Sequence, residues 1–181
     1  MEMIFFDTET TGLLKPDAAE LTFQPHITEF YGVKVDFETL DVVDELEFLC
    51  KIPVPLEEHI IKITKITEEM LADQPTFAEH YETLAEFYLG VKYGVAHNVN
   101  FDMGMLWCEL ERMEHTLMFP WPMKWVCTVK SSYHIKNRRL RLGQLYEHYF
   151  GSEFTGAHRA KSDVGAMLKI YKKLREDGYV D

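Results

Sequence analysis

The sequence predicts a mixed α/β domain, and three observations predict it. Met3-Ile4-Phe5-Phe6 is an apolar run that ends in acidic residues, small hydroxyls and Gly12, the pattern of a buried strand breaking into a turn. Two further strand-like runs follow within the first third of the chain, and later segments carry apolar residues at helical spacing. Strands first and helices interspersed later is the order of a mixed sheet flanked by helices. With 181 residues, 46% of them hydrophobic, and no long compositional break, residues 1–181 suit a single domain with a full core.

Taken in order, the first strand spans Met3–Glu9, and Thr10–Gly12 turns the chain towards Leu13-Leu14. Lys15–Pro25 reads as a loop, bounded by Lys15-Pro16-Asp17 and Gln24-Pro25. Ile27–Phe37 and Val42–Ile52 form an antiparallel pair joined through Glu38–Asp41, and Pro53 and Pro55 end the second. Ile63, Ile66 and Met70 follow helical spacing, with Glu68 and Glu69 suited to a start after Thr67. Thr76 and Glu79 make a capping box for a helix on Phe77, Tyr81, Leu84, Ala85 and Tyr88, which Gly90 stops.

Val91–Ala96 is a short strand. Asn100 caps the next helix, whose stripe is Phe101, Met105, Cys108 and Met113. Trp125–Thr128 supplies a fifth strand after Pro120 and Pro122. Leu142, Leu145, Tyr146 and Tyr149 mark a helix, and the last helix runs from about Ser162 to Arg175. The Met, Tyr and Phe stripes are core positions rather than a cofactor box.

Asp7 and Glu9 lie on one face of the first strand, about 7 Å apart along it. Two carboxylates side by side near a core repel by roughly 1 to 4 kcal/mol in wet surroundings. A hard divalent cation such as Mg²⁺ offsets that cost; a solvated strand edge is the plainer alternative. Asp102 stands just inside a helix start and Asp163 opens the final helix, where a carboxylate also serves simply as a cap. His158 lies five residues before Asp163, on an approach loop with Gly156.

Composition bounds the setting. The N-terminus lacks a basic start followed by a long apolar segment, so no signal peptide is expected. No stretch approaches ~18 uncharged apolar residues, which argues against a membrane span. Cys50, Cys108 and Cys127 are not spaced as metal pairs and fit buried positions in a reducing cytosol. The net charge of −11 argues against phosphate partners until it is divided. Residues 1–110 hold 6 Lys, no Arg and 22 Asp and Glu, a balance of −16. Residues 111–181 hold 7 Lys and 6 Arg against 8 acids, a balance of +5. The densest basic segment is Lys136-Asn137-Arg138-Arg139-Leu140-Arg141, which is either a local patch or a solvated edge.

Three segments now fall together: Phe6-Asp7-Thr8-Glu9-Thr10-Thr11-Gly12, His97-Asn98-x-x-Phe101-Asp102 and His158-x-x-x-x-Asp163. In order and separation they resemble the three motifs of the DEDDh group of 3′–5′ exonucleases, which includes proofreading subunits, RNase T and oligoribonuclease. The likeness extends to Thr67-Glu68-Glu69-Met70-Leu71 and Leu140-x-Leu142-x-x-Leu145. It implies an RNase H-like fold, a five-stranded sheet whose second strand is antiparallel. It further implies that Asp7, Glu9, Asp102 and Asp163 bind two divalent ions, Mg²⁺ or Mn²⁺, with Asp7 bridging them. Such a pair suits phosphodiester hydrolysis. His158 would be the general base, since imidazole titrates near neutral pH. By the same resemblance Thr10, Thr11, Gly12 and Leu13 hold the terminal nucleotide and Phe101 packs on its sugar or base. His97 and Asn98 support them.

The implied activity is release of nucleoside 5′-monophosphates from single-stranded or frayed 3′ ends, DNA favoured, with RNA as the alternative substrate. A non-catalytic end-binding module on the same scaffold is the reading from another class; the full set of carboxylates speaks against it. A cytoplasmic, stand-alone nuclease is expected, with no polymerase-tethering tail evident. Two departures stand out. Lys65 occupies a position where relatives often carry glycine, and the Lys15–Pro25 loop looks longer than in compact relatives.

Overall fold

A computed structural model describes residues 1–15 and 20–181. Its five-stranded sheet consists of β1 (Glu2–Thr10), β2 (Ile27–Asp36), β3 (Val42–Leu49), β4 (Tyr93–Ala96) and β5 (Lys124–Cys127). The spatial order is β3-β2-β1-β4-β5. β2 runs antiparallel to both β1 and β3, while β4 is parallel to β1 and β5 parallel to β4. This is the expected mixed sheet with its single reversed strand.

β1 is the central strand and is covered on both faces, which is why its sequence reads as a continuous apolar run rather than an alternating one. Alternation still decides direction. Ile4 and Phe6 enter one core, with residues of α3 (Phe77–Tyr88) and α4 (Val99–Arg112). Met3 and Phe5 enter the other, against Val164, Met167 and Tyr171 of α8 (Ala160–Glu176). Asp7 and Glu9 therefore continue the α8 side of β1, and Thr8 the α4 side. At the edge, β3 exposes Val42 and Val43 but intersperses Asp44, Glu45 and Glu47, charges that discourage pairing with another chain.

Several local expectations needed correction. Ile63, Ile66 and Met70, read at helical spacing, do not share one helix: Ile63 lies in α1 (Glu58–Thr64), Ile66 between the helices, and Met70 in α2 (Glu68–Leu71), which starts after Thr67 as expected. Lys65 breaks them in the left-handed conformation, φ 61°, donating its N–H to Ile61 O. Thr67 does cap α2, accepting from Met70 N. The capping box at Thr76 and Glu79 forms as expected, and α3 ends at Tyr88 before Gly90. α4 begins at Val99, not after Asn100. Asn98 turns the chain at φ 73°, a conformation Asn tolerates better than most residues, and Phe101 N closes on its carbonyl. Two short helices, α5 (Thr128–Ser131) and α6 (Tyr133–Lys136), precede α7 (Leu142–Phe150) where no element was expected.

Within the expected Lys15–Pro25 loop, residues 16–19 lie outside the described residues. The Gln24 side chain joins the flanks, accepting from Lys15 N and donating to Lys15 O. The three cysteines are buried and unbridged, as expected. No helix among the described residues is long and apolar enough to cross a membrane.

Candidate active site

Every one of the four acidic motif positions comes to the C-terminal end of β1. Asp7 and Glu9 emerge there from β1, and Asp163 arrives on the first turn of α8. Carboxylate oxygens of these three all lie within 4.8 Å of one another. Asp102 stands outside that trio and approaches from the opposite face of β1, in the first turn of α4. It is buried, and its Oδ1 accepts from both Thr8 N (3.1 Å) and Thr8 Oγ1 (2.9 Å). Alternation along β1 thus aims Asp7 and Glu9 at α8 and lets Thr8 orient Asp102, with Oδ2 left free of those bonds.

The protonation equilibria record the crowding. Burial, then the charges of Asp102, Asp163, Glu9 and Glu29, hold the Asp7 carboxyl well above the usual carboxylate range. Burial and the neighbouring Asp163, Glu29 and Asp102 push Glu9 up to about 8, with Arg159 opposing them. Burial raises Asp102 to about 7 despite the Thr8 hydrogen bonds, and raises Asp163 to about 6 despite the N–H of His158. Asp163 Oδ1 is buried without a hydrogen-bond partner. Half-buried carboxylates this close, with an orphaned buried oxygen among them, have the chemistry of a hard-cation site.

Two residues outside the motif reading organise the site. Glu29 lies opposite Glu9 in the β1–β2 register and is almost fully buried. Its carboxylate takes a bidentate pair with Arg159, at 2.5 to 3.2 Å, and also accepts from Ala160 N at 3.0 Å. Glu29 therefore caps α8 from a neighbouring strand, which explains why the helix starts two residues before the expected Ser162. The same pair flanks His158. His158 is exposed at φ 66°, and its N–H reaches Asp163 Oδ2 at 3.2 Å. Gly156, at φ 80°, supports this turn, since a Cβ there would meet Ser162 Oγ at 2.6 Å.

The substrate-contact candidates divide by what holds them. Thr10 Oγ1 donates to Gly12 O, and Thr11 exchanges two hydrogen bonds with the backbone of His26. These bonds shape the turn that leaves Leu13 largely exposed. Glu109 accepts from Ile27 N and pairs with Arg112, which itself binds the carbonyls of Leu21, Gln24 and Pro25. Phe101 is half-buried against the α4-side core. His97 has both ring nitrogens engaged, Nδ1 with Thr128 Oγ1 at 2.8 Å and Nε2 with Leu140 O at 3.1 Å. Because a carbonyl can only accept, Nε2 carries the proton; burial lowers the ring's pKa to about 4, and it stays neutral. Asn98 Oδ1 accepts from Arg139.

The exonuclease profile of the RNase T family matches residues 4–171. The chain belongs to that family. That family is one of exonucleases, and the chain carries the DEDDh set of Asp7, Glu9, Asp102, His158 and Asp163. This exonuclease is 32% identical over 94% of its length to a PolC-type DNA polymerase III of Staphylococcus aureus, and spans only 11% of that relative. Its fold is shared with the nuclease domain of 3′hExo, a DEDDh family member solved bound to rAMP. That likeness has a TM-score of 0.78 at 19% identity and covers 98% of this chain and 92% of the other. Exonuclease X, solved with 5′-overhanging duplex DNA, gives 0.67 at 22% identity, covering 99% and 94%.

Proposed function

We propose that this exonuclease releases nucleoside 5′-monophosphates from single-stranded 3′ ends, DNA in preference to RNA, with two divalent ions, Mg²⁺ or Mn²⁺. The observation that carries the reading is the cluster of Asp7, Glu9 and Asp163 within 4.8 Å, with an unpartnered buried oxygen on Asp163. Asp7, Glu9, Asp163 and the free oxygen of Asp102 would hold the ions. When bound, the ions supply Lewis acidity at the scissile phosphate and make water easier to ionise.

The side chains supply the rest. The Thr10–Leu13 turn receives the terminal nucleotide, and exposed Leu13 and half-buried Phe101 offer apolar surface to its base and sugar. His158 takes the proton of the attacking water. Its loop is tied at Asp163 and, one residue on, by Glu29 and Arg159, so an exposed imidazole hangs from a fixed anchor. Such a base can close on substrate without the loop being free to wander. His97 acts indirectly, by fixing the segment that carries Leu140. The DNA preference rests on the similarity to the PolC-type polymerases.

Asp7→Ala tests the reading. Matched labelled DNA and RNA 12-mers in Mg²⁺ should show activity falling by orders of magnitude while end binding survives. A wild-type protein inert on both oligonucleotides would count decisively against it, and faster RNA than DNA cleavage would overturn the substrate preference.

A further inference from the structure

The chain has six arginines, all beyond residue 110. Arg112 is committed to Glu109, Arg159 to Glu29, and Arg175 to the carbonyls of Phe37, Glu38 and Asp181. Arg138, Arg139 and Arg141 are different. All three are exposed, and among the described residues none pairs with a carboxylate. In a protein of net charge −11, three uncompensated arginines within four positions call for a partner.

The fold ties this segment to the catalytic end of the sheet. Phe5 pairs with Val95, so the chain leaving β4 at His97 and Asn98 runs beside Asp7 on the neighbouring strand. His97 holds Leu140 through its carbonyl, and Leu140 itself is buried. Arg139 Nη2 donates to Asn98 Oδ1 at 2.6 Å, four residues ahead of Asp102. Arg138 Nη1 reaches Gln144 Oε1 at 3.3 Å, which steadies a second guanidinium without neutralising it. The motif residues His97 and Asn98 thus serve as a mount for a basic segment beside an acidic pocket.

We propose that Arg138, Arg139 and Arg141 form a phosphate rail that binds the sugar–phosphate backbone of the substrate strand leading into the active site. This rests on the exonuclease reading and adds the strand contact it lacks. The carboxylate pocket repels a polyanion until cations fill it, and the rail supplies attraction that does not depend on those cations. Arginine forks suit phosphate oxygens, and backbone contacts of this kind carry no base preference.

The test compares wild type with R138Q/R139Q/R141Q. Equilibrium binding of a fluorescent 12-mer is measured in Mg²⁺, with both proteins also carrying Asp7→Ala so that the strand is not consumed. Three lost contacts should flatten the slope of log affinity against log salt by about 2, making binding roughly 20-fold less sensitive between about 50 and 200 mM KCl. A nucleoside 5′-(p-nitrophenyl phosphate), which has no leading strand, supplies the control substrate for hydrolysis. With Asp7 intact, the triple variant should cleave this ester like wild type and lose kcat/KM only on the 12-mer. An unchanged salt slope overturns the rail, as does an equal loss on both substrates. Wild type inert on both substrates would sink the nuclease reading, while the binding slopes would still decide the rail.

Discussion

Raising the pH without metal should destabilise the fold, and the crowded pocket gives the size of the effect. Glu9 titrates at about 8 and Asp102 at about 7 in the folded chain, and both near 4 when unfolded. At about pH 6.5 the folded protein holds protons on both that the unfolded chain has released. This stabilisation is complete below the unfolded values and is lost as pH rises through the folded ones. Each pH unit in that window costs about 1.4 kcal/mol per protonated group. From about pH 6.5 to 8.5, Glu9 loses about 2 kcal/mol and Asp102 somewhat under 1, so these two together cost about 2–3 kcal/mol, and Asp7, raised by burial and its neighbours, acts in the same direction. His97, held neutral with a pKa near 4, works in the opposite direction, mainly below this window. For a domain of this size the melting temperature should fall by roughly 5–10 °C. Scanning calorimetry in EDTA at fixed ionic strength reads it, and Mn²⁺ or Mg²⁺ should reduce the drop by neutralising the cluster. A metal-free melting temperature that is flat or rises across the window would refute the clustering of these carboxylates.

Other perturbations separate chemistry from architecture. His158→Ala should lower kcat by roughly 10²- to 10⁴-fold, with the melting temperature and 3′-end binding unchanged; comparable loss of binding would point to a structural role instead. Glu29→Gln removes the charge that clamps Arg159 and caps α8. Because Arg159 is partly exposed and can turn to water, the cost should be about 1–3 kcal/mol in urea, with activity reduced as the His158 loop loosens. An unaltered midpoint would contradict the clamp. Gly94→Ala would place a Cβ 2.3 Å from the Trp125 ring, and should destabilise by about 1–3 kcal/mol; a neutral or stabilised variant would show that β5 yields freely.

What the sequence made legible was whatever neighbours determine locally. β1 announced itself because a strand buried on both faces is apolar without interruption, and Thr76 with Glu79 announced α3 because a capping box closes within one turn. Asp7, Glu9, Asp102 and Asp163 were readable through motif spacing, and the fold brings them to one end of the sheet. Features closed over long separations were not readable. Glu29 caps α8 across 131 positions, so nothing near Ala160 betrayed where that helix starts. Thr8 orients Asp102 across 94 positions. Asn98, rather than Asn100, opens α4 through a backbone turn at φ 73°, and its side chain goes to Arg139, 41 positions away, instead of capping its own helix. Lys65 is the instructive departure: the left-handed turn is kept without glycine, with the backbone bond to Ile61 O in place and Nζ donating to Lys62 O. The spacing of Ile63, Ile66 and Met70 runs through that turn, so it is not the stripe of one helix, although the start after Thr67 was legible from its cap.

The most direct measurement is product analysis on a 5′-labelled single strand with Mg²⁺. The account predicts a ladder that shortens one nucleotide at a time from the 3′ end, nucleoside 5′-monophosphate as the released product, and silence in EDTA. Internal cuts, nucleoside 3′-monophosphates, or turnover that continues in chelator would contradict it.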